Sequence, residues 1–128
     1  MAGFAGAGGS WRRQEVYRTV RSAVESRRPI SAVYHNRHRL VCPHRLGLNK
    51  DGLPRVLCYQ YGGESESGLK PRGSPDNWRC FALDQLRSVE LLDGPWQTAP
   101  NHLRPAPCIV DADVDAEDYP VRDPQQGQ

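Results

Sequence analysis

Three arginines in the middle of the chain, Arg39, Arg45 and Arg79, are the residues best suited to bind a ligand. A guanidinium group presents several N–H donors in a planar fork that matches the oxygens of a phosphate. We expect the three side chains to project from separate strands, because rigid strands can direct them toward one anion. His44 adds a donor for phosphate, although an ordinary surface histidine explains it equally well.

Aromatic and small polar residues accompany the arginines along the sequence. Tyr34, Tyr59 and Trp78 offer flat faces on which the bases of a single strand could stack, at about 1 to 3 kcal/mol per base. Ser65 and Ser67 lie in a glycine-containing stretch whose backbone amides can approach an anion closely. Structural alternatives stay open, because Tyr34 also suits a core or rim position and the Gly-Ser stretch also suits a flexible connection.

The sequence contains no pattern typical of catalysis or of metal binding. Asp51, Asp76 and Asp84 occupy turn positions, no Ser or Cys has a local His to activate it, and no phosphate-binding glycine fingerprint follows a strand. Cys42 and His44 are close in sequence, but structural zinc sites are usually marked by Cys-x-x-Cys pairs, which are missing. We therefore predict a non-enzyme without metal or cofactor.

The N-terminal part of the chain predicts a single helix. Residues 1–10 are expected to be a flexible leader, since they lack the basic start and long apolar stretch of a secretory signal. Ser10 is a suitable N-cap for a helix over residues 11–28, and Pro29 ends that helix. Apolar residues recur along one side of it at three- and four-residue intervals: Val16, Tyr17, Val20, Ala23 and Val24.

Strand-like alternation begins after Pro29, with a run over residues 30–35 and a tight turn expected at Asn36 and Arg37. Pro43 predicts a bulge or an edge in the second run, because proline lacks a backbone donor. Asp51-Gly52 predicts a hairpin into the third run, residues 55–61. In the second run, residues 39–48, alternation assigns four residues to the core side: Leu40, Cys42, Leu46 and Leu48.

The rest of the chain adds a long loop, two more strands and a tail. Residues 62–77 have no helical or strand period and predict a functional or mobile loop. Two further runs, 78–83 and 88–92, flank a one-turn element. Five short strands after one helix predict a mainly β domain, α+β overall, with a strongly bent sheet or open barrel over residues 29–96. Residues 97–128, rich in Pro, are expected to be largely disordered, with at most one docked segment.

Charge and cysteine usage bear on partners and location. Residues 1–110 carry 16 Lys and Arg against 9 Asp and Glu, a net charge of +7, whereas residues 111–128 carry one Arg against six acids, a net charge of −5. A basic body indicates a polyanionic partner, and an acidic tail can compete for the same surface. Cys42, Cys58 and Cys80 lie in apolar runs and are expected to be buried free thiols in a reduced, cytoplasmic protein. No apolar run is long enough to span a membrane.

The ordered set of motifs in residues 28–96 resembles a WYL domain, a bacterial sensor module with an Sm-like or SH3-like β-barrel. A stretch that runs from Tyr59-Gln60 through Ser65 and Ser67 to Trp78 is similar to a divergent branch of short WYL-like proteins. The family's Trp-Tyr-Leu triplet and its upstream DNA-binding helix-turn-helix are both missing, so we expect a stand-alone module. The motifs are Ile30-x-x-x-Tyr34, Arg39-x-Val41-x-Pro43-x-x-Leu46 and Arg79-x-Phe81-x-Leu83-Asp84-x-Leu86-x-x-Val89.

This resemblance implies a regulatory module that senses nucleic acid, as short single strands, or nucleotide-like anions through a basic patch. The site residues expected from the motifs and from the chemistry together are Arg39, Arg45, Arg79, His44, Tyr34, Tyr59, Gln60, Ser65, Ser67 and Trp78. A second hypothesis is a protein-interaction accessory subunit, as in a phage-defence or regulatory operon, that docks on a larger protein and has no nucleic-acid ligand. Homodimerisation is compatible with both hypotheses.

Overall fold

A computed structural model describes residues 11–100 and 108–119 of the chain. These residues form a mainly β structure in which one α-helix packs on a six-stranded, antiparallel, open sheet. The predicted mainly β architecture with one N-terminal helix is therefore confirmed. The helix α1 spans Glu15–Ser26 and follows a short 3-10 turn at Trp11–Arg13.

The apolar stripe of α1 faces the sheet, as its spacing predicts. Tyr17, Val20, Ala23 and Val24 are buried there, and Arg27 ends the helix in the left-handed conformation two residues before Pro29. The predicted helix start is wrong, because residues 11–13 form a separate 3-10 turn and Gln14, not Ser10, occupies the N-cap position of α1. Ser10 itself and the predicted leader lie outside the described residues.

Strand β2 is the organising strand of the sheet. The strand order is β4-β3-β2-β1-β5, and β6 pairs with β2 as well. Since β2 is 12 residues long, its first part pairs with β1 while its last part pairs with β6. The strands are β1 Ile30–Tyr34, β2 Arg37–Leu48, β3 Pro54–Gly63, β4 Trp78–Ala82, β5 Leu86–Leu91 and β6 Asp111–Asp115.

Two hairpins connect the first three strands. The β1–β2 turn consists of His35 and Asn36, both at positive φ, with Tyr34 opposite Arg37. The expected turn at Asn36 and Arg37 is thus wrong by one residue, because Arg37 already pairs in β2. The hairpin predicted at Asp51-Gly52 is confirmed, since β2 and β3 pair antiparallel on either side of it.

A bulge in β2 determines which of its side chains enter the core. The pairing register shifts between Pro43 and Arg45, which confirms the irregularity predicted at Pro43. One extra residue reverses the alternation, so Val41 lies in the main core together with Leu46, whereas Leu40 is only partly buried. The prediction of Leu40 as a core residue was wrong because alternation was carried unbroken through the bulge.

The cysteines divide into two thiols and one disulfide. Cys42 and Cys58 are free and buried, as predicted. Cys80 of β4 is joined to Cys108, so the prediction of a free Cys80 in a fully reduced protein is wrong. The pairing was not predictable from the sequence, because the two cysteines are 28 residues apart and nothing local indicates that residue 108 lies beside β4.

The acidic C-terminal segment contributes a sixth strand to the sheet, whereas five strands were predicted. Asp111–Asp115 pairs with the end of β2, and Val114 is buried in the main core. The prediction of at most one docked segment in residues 97–128 is wrong, because residues 97–100 also pack on the sheet: Ala99 is buried against Tyr59 and Trp78, and the Gln97 N–H donates to Cys42 Sγ. Residues 101–107 and 120–128 lie outside the described residues. Within the described parts of the chain, no helix has the length and apolar character needed to cross a membrane.

Candidate anion-binding site

A cavity of about 430 Å³ opens where the β1–β2 hairpin, the loop over residues 64–77 and strand β4 meet. Its position explains its composition, because each of these elements contributes polar side chains at the edge of the apolar core. The lining residues are Tyr34, His35, Arg39, Ser65, Glu66, Ser67, Arg79, Cys80 and Phe81.

Arg39 is the most deeply buried charged residue of this cavity, with 2% of its side chain exposed. One terminal nitrogen donates to the Tyr34 carbonyl oxygen at 3.1 Å, and the other donates to Gln60 Oε1 at 3.4 Å. The guanidinium carbon lies 5.6 Å from the Tyr34 ring centroid and 5.5 Å from that of Phe81. The Nε–H of Arg39 is buried and has no hydrogen-bond partner in the described residues. A buried arginine with an unpaired donor is rare in proteins.

Arg79 brings a second guanidinium group to the cavity from β4. It donates to Ser65 Oγ at 3.0 Å and to backbone carbonyl oxygens, the shortest being that of Asp76 at 2.7 Å. Burial, and next the positive charge of Arg39, lower the pKa of Arg79. The two arginines therefore act on one another electrostatically across the cavity.

The loop that covers the cavity is held by buried side chains beneath it. Gln60 donates to the Gly62 and Glu64 carbonyl oxygens while its own oxygen accepts from Arg39. Tyr59 donates to the Ser74 carbonyl and accepts from the Gly73 N–H, both at 2.9 Å. Because strand residues thus fix both ends of the loop, Ser65 and Ser67 reach the cavity in a defined position.

Asn77 fixes the middle of the same loop through both ends of its amide. Its oxygen accepts from the Lys70 N–H at 2.8 Å, and its nitrogen donates to the Lys70 carbonyl at 2.9 Å. The side chain is buried. Sequence reasoning missed this role, because an asparagine after Pro-Asp looks like an ordinary turn residue.

Glu66 is the carboxylate that the chain itself places on the cavity. One of its oxygens lies 3.6 Å from a terminal nitrogen of Arg39, and the other lies 3.7 Å from Arg37. Its side chain is 59% exposed, so the carboxylate meets the arginines from the solvent side. Sequence reasoning also missed Glu66, although its position between Ser65 and Ser67 was a usable signal.

His35 and Tyr34 form an aromatic rim at the β1–β2 turn. Their rings stack with centroids 4.1 Å apart, and His35 Nε2 lies 2.6 Å from Gln85 Oε1. Tyr34 also packs on Phe81 and accepts a hydrogen bond from the Ala82 N–H at 3.1 Å. Tyr34 is thus both a rim and a packing residue, and His35 was not among the predicted site residues.

Arg45 and His44 do not reach the cavity. Both lie on β2, as Arg39 does, so the expectation of three arginines from three strands is wrong. Arg45 Nε donates to Asp115 at 2.8 Å. His44 bonds the Cys42 carbonyl oxygen and Thr98 through its two ring nitrogens. The bulge beside Pro43 turns these two side chains away from the face on which Arg39 lies.

The cavity lining also excludes Tyr59, Trp78 and Gln60. All three are buried within the protein. Tyr59 and Trp78 pack edge to face with ring centroids 5.2 Å apart in a second, smaller core. Neither ring presents a free face for a base. Of the ten predicted residues, the structure brings five together at the cavity: Tyr34, Arg39, Ser65, Ser67 and Arg79.

The acidic strand β6 neutralises arginines outside the cavity. Asp113 pairs with Arg12 at 3.1 Å and with Arg21 at 3.2 Å, and Asp115 pairs with Arg45. No residue of β6 lines the cavity. The docked strand therefore neutralises three arginines of the body and none that lines the cavity.

Among the residues that the structure describes, no three His, Cys, Asp or Glu side chains are grouped so as to hold a metal ion. A scan against protein-family models, and searches of curated proteins and of solved structures, find no match to this chain.

Proposed function

We propose that this chain is a ligand-sensing regulatory module that binds nucleotide-like anions, or short single strands of nucleic acid, in the Arg39–Arg79 cavity. The observation that carries the proposal is the convergence of two buried or half-buried guanidinium groups on one cavity, with the Nε–H of Arg39 left without a partner. An anion that accepts from this donor would satisfy a group that the folded chain leaves unsatisfied.

The size and the walls of the cavity suit a ligand of this class. Small-molecule sites commonly measure about 300 to 1,000 Å³, and this cavity falls within that range. The arginines and serines supply donors for phosphate, while the Tyr34–His35 rim supplies a surface on which a base can stack. We assign the chain binding rather than catalysis, because the buried and half-buried charged groups of the cavity are the guanidinium donors of Arg39 and Arg79.

The WYL-like, Sm-like barrel stays part of the proposal. A strand order in which β5 returns to β1 beside a meander of β1 to β4, with a helix in front, supports it. The regulatory role rests on that resemblance, since the cavity alone argues only for ligand binding.

The proposal is tested by isothermal titration of the full chain with AMP and with a short single-stranded oligonucleotide at low salt. Arg79→Ala should weaken binding by about 10- to 100-fold, the value of one charge-assisted hydrogen bond. Arg72→Ala, which removes an equal charge from an exposed position in the same loop, should leave the affinity unchanged. Equal affinity in wild type and Arg79→Ala, or undetectable binding to wild type, would contradict the proposal.

The accessory-subunit hypothesis is favoured by one observation. Leu53 and Val110 are large apolar side chains, 48% and 57% exposed, near the end of β2, where the Val110 N–H donates to the Leu48 carbonyl. A partner protein that copurifies at high salt, and is lost in the Leu53→Ser and Val110→Ser variants, would support this second function.

A cytoplasmic location is also part of the proposal, and the Cys80–Cys108 disulfide argues against it, because disulfides persist mainly in oxidising compartments. Alkylation of thiols in intact cells, followed by mass spectrometry, measures the redox state of Cys80. A fully alkylated Cys80 fits the cytoplasm, and a protected one contradicts it.

A further inference from the structure

We infer, on the basis of the proposed function, that the ligand enters the cavity with a terminal phosphate group, which takes the place of the Glu66 carboxylate on Arg39. An internal phosphodiester of a nucleic-acid strand does not fit the same position. The inference therefore names the ligand class as phosphate monoesters, either mononucleotides or strands with a phosphorylated end.

The charges that line the cavity call for more than one negative charge. Arg39 and Arg79 contribute two positive charges, and Glu66 is the acidic side chain in the lining. A phosphodiester carries one negative charge, whereas a phosphate monoester carries about −1.5 to −2 near neutral pH. A monoester that displaces Glu66 compensates both arginines, which neither Glu66 nor a diester does.

The available donors match the oxygens of a terminal phosphate. Arg39 has a buried Nε–H without a partner, and its contact with Glu66, at 3.6 Å, is longer than a hydrogen bond. Ser65 and Ser67 add hydroxyl groups on the loop side of the cavity. A terminal phosphate has three oxygens that can accept from these groups, while a diester has two.

The depth of Arg39 also favours a chain end. With 2% of its side chain exposed, Arg39 lies below the surface, and an internal phosphodiester would have to carry a strand into the cavity and out again. A groove for that path needs cations on both sides. The cavity lining supplies Arg39 and Arg79 as its cations and no further row of them.

The Glu66 carboxylate can be displaced from Arg39 by an incoming phosphate. It lies on the covering loop, is 59% exposed, and contacts Arg37 and Arg39 at 3.7 and 3.6 Å. The pair with Arg37 is exposed on both sides and contributes about 0 to 1 kcal/mol, so its loss costs little. The contact with buried Arg39 costs more to break, and the incoming phosphate replaces it with a charge of the same sign. Once released, Glu66 leaves Arg37 able to meet the incoming phosphate as well.

The inference is tested by titrating the full chain with short oligonucleotides of one sequence that carry a 5′-phosphate, a 3′-phosphate or hydroxyl groups at both ends, and with AMP, adenosine and inorganic phosphate. A phosphorylated end should bind at least about 10-fold tighter than the hydroxyl form, as expected for gained charge-assisted bonds. Equal affinities of phosphorylated and hydroxyl strands, both lowered by Arg79→Ala, would overturn this inference and leave the proposed function standing. Undetectable binding of every ligand would overturn both.

A second variant tests the role of Glu66. Glu66→Gln should tighten the binding of AMP by about 3- to 5-fold, because the competing charge is removed. Glu64→Gln, which neutralises an exposed acid two residues earlier, should have no effect. Unchanged or weaker binding in Glu66→Gln would show that Glu66 does not hold the place of the phosphate.

Discussion

Arg39 carries a stability cost that its surroundings do not remove. A buried donor without a partner costs about 1 to 3 kcal/mol, and burial of the guanidinium charge adds to that cost. The hydrogen bonds to the Tyr34 carbonyl and to Gln60 offset part of it. The proposed anion would account for this cost, whereas the contacts within the fold do not.

Replacement of Arg39 by methionine separates these two roles. We expect the free energy of unfolding of Arg39→Met to lie within about 1 kcal/mol of the wild-type value. The variant loses two hydrogen bonds, but it also loses the unpaired donor and the buried charge. The same variant should lose AMP binding. Urea unfolding and calorimetric titration measure the two effects, and a loss of stability well above 2 kcal/mol would assign Arg39 a structural role instead.

Cys42 and Cys58 give a prediction about pH. Burial raises the pKa of Cys42 to about 12 and raises that of Cys58 as well. In the unfolded chain both thiols ionise near their ordinary value, so the folded state binds more protons in this range and stability falls as pH rises through about 9 to 12. At one unit above the unfolded pKa each thiol should lower the free energy of unfolding by about 1.4 kcal/mol.

Urea midpoints at about pH 8 and about pH 10, compared between wild type and Cys42→Ala, isolate the contribution of Cys42 from that of the tyrosines. The wild type should lose more stability than the variant over this interval. An identical loss in both proteins would contradict the burial of Cys42 as a neutral thiol.

Residue types predicted which chemical groups the cavity contains better than they predicted which residues line it. Arg39 and Arg79 could be identified because their guanidinium groups suit phosphate oxygens and both lie in strand-like runs. Arg45 could not be separated from them, since its direction depends on the extra residue that the β2 bulge inserts. Tyr59 and Trp78 were misassigned because their burial depends on a second core that is built partly from residues 99 and 109.

At the level of elements, the covering loop depends on one glycine at the end of β3. Gly63 lies opposite Arg39 at φ +81, and a Cβ there would clash with the His38 carbonyl oxygen. Only glycine both adopts this conformation easily and allows the chain to pass so close to β2. The backbone conformation at Gly63 therefore determines where the loop places Ser65 and Glu66 over the cavity.

Gly63→Ala should displace the loop, lowering the free energy of unfolding by about 2 kcal/mol or more and weakening AMP binding. Gly68→Ala is the matched control, because Gly68 has nearly the same φ, +82, but open space around its Cβ position. It should cost only about 1 kcal/mol and leave affinity intact. Equal effects of the two substitutions would show that the clash at Gly63 is unimportant.

Elements specified by local patterns were predictable, and elements specified by distant partners were not. The helix, the Asp51-Gly52 hairpin and the proline bulge follow from signals within a few residues of one another. Strand β6 is rich in aspartate, which is depleted in strands, and it forms because Asp113 and Asp115 meet arginines about 70 to 100 residues earlier. That complementarity is visible only after folding.

At the level of the whole molecule, the disulfide ties β4 to the segment that leads into β6. It closes a loop with a sequence separation of 28 residues, for which the chain-entropy model gives about 3 to 4 kcal/mol. We expect reduction to lower the free energy of unfolding by about this amount, and the Cys80→Ser, Cys108→Ser double variant to show the same loss without reductant. Urea unfolding with and without dithiothreitol measures it, and identical curves would contradict a bond that stabilises the fold.

The acidic C-terminal segment and the basic body of the chain contact one another in the folded molecule. The acidic segment neutralises Arg12, Arg21 and Arg45, and none of its described residues lines the cavity. Net charge alone predicts a broad basic face, whereas in the folded molecule the acidic segment pairs with three arginines of that face.

The central claim is that an anionic ligand binds between Arg39 and Arg79, and the arginine Nε–H signals in an NMR titration with AMP test it directly. We expect the signals of Arg39 and Arg79 to shift together and saturate, while those of Arg45 and Arg12 stay in place. Shifts confined to arginines outside the cavity, or none at all, would contradict it.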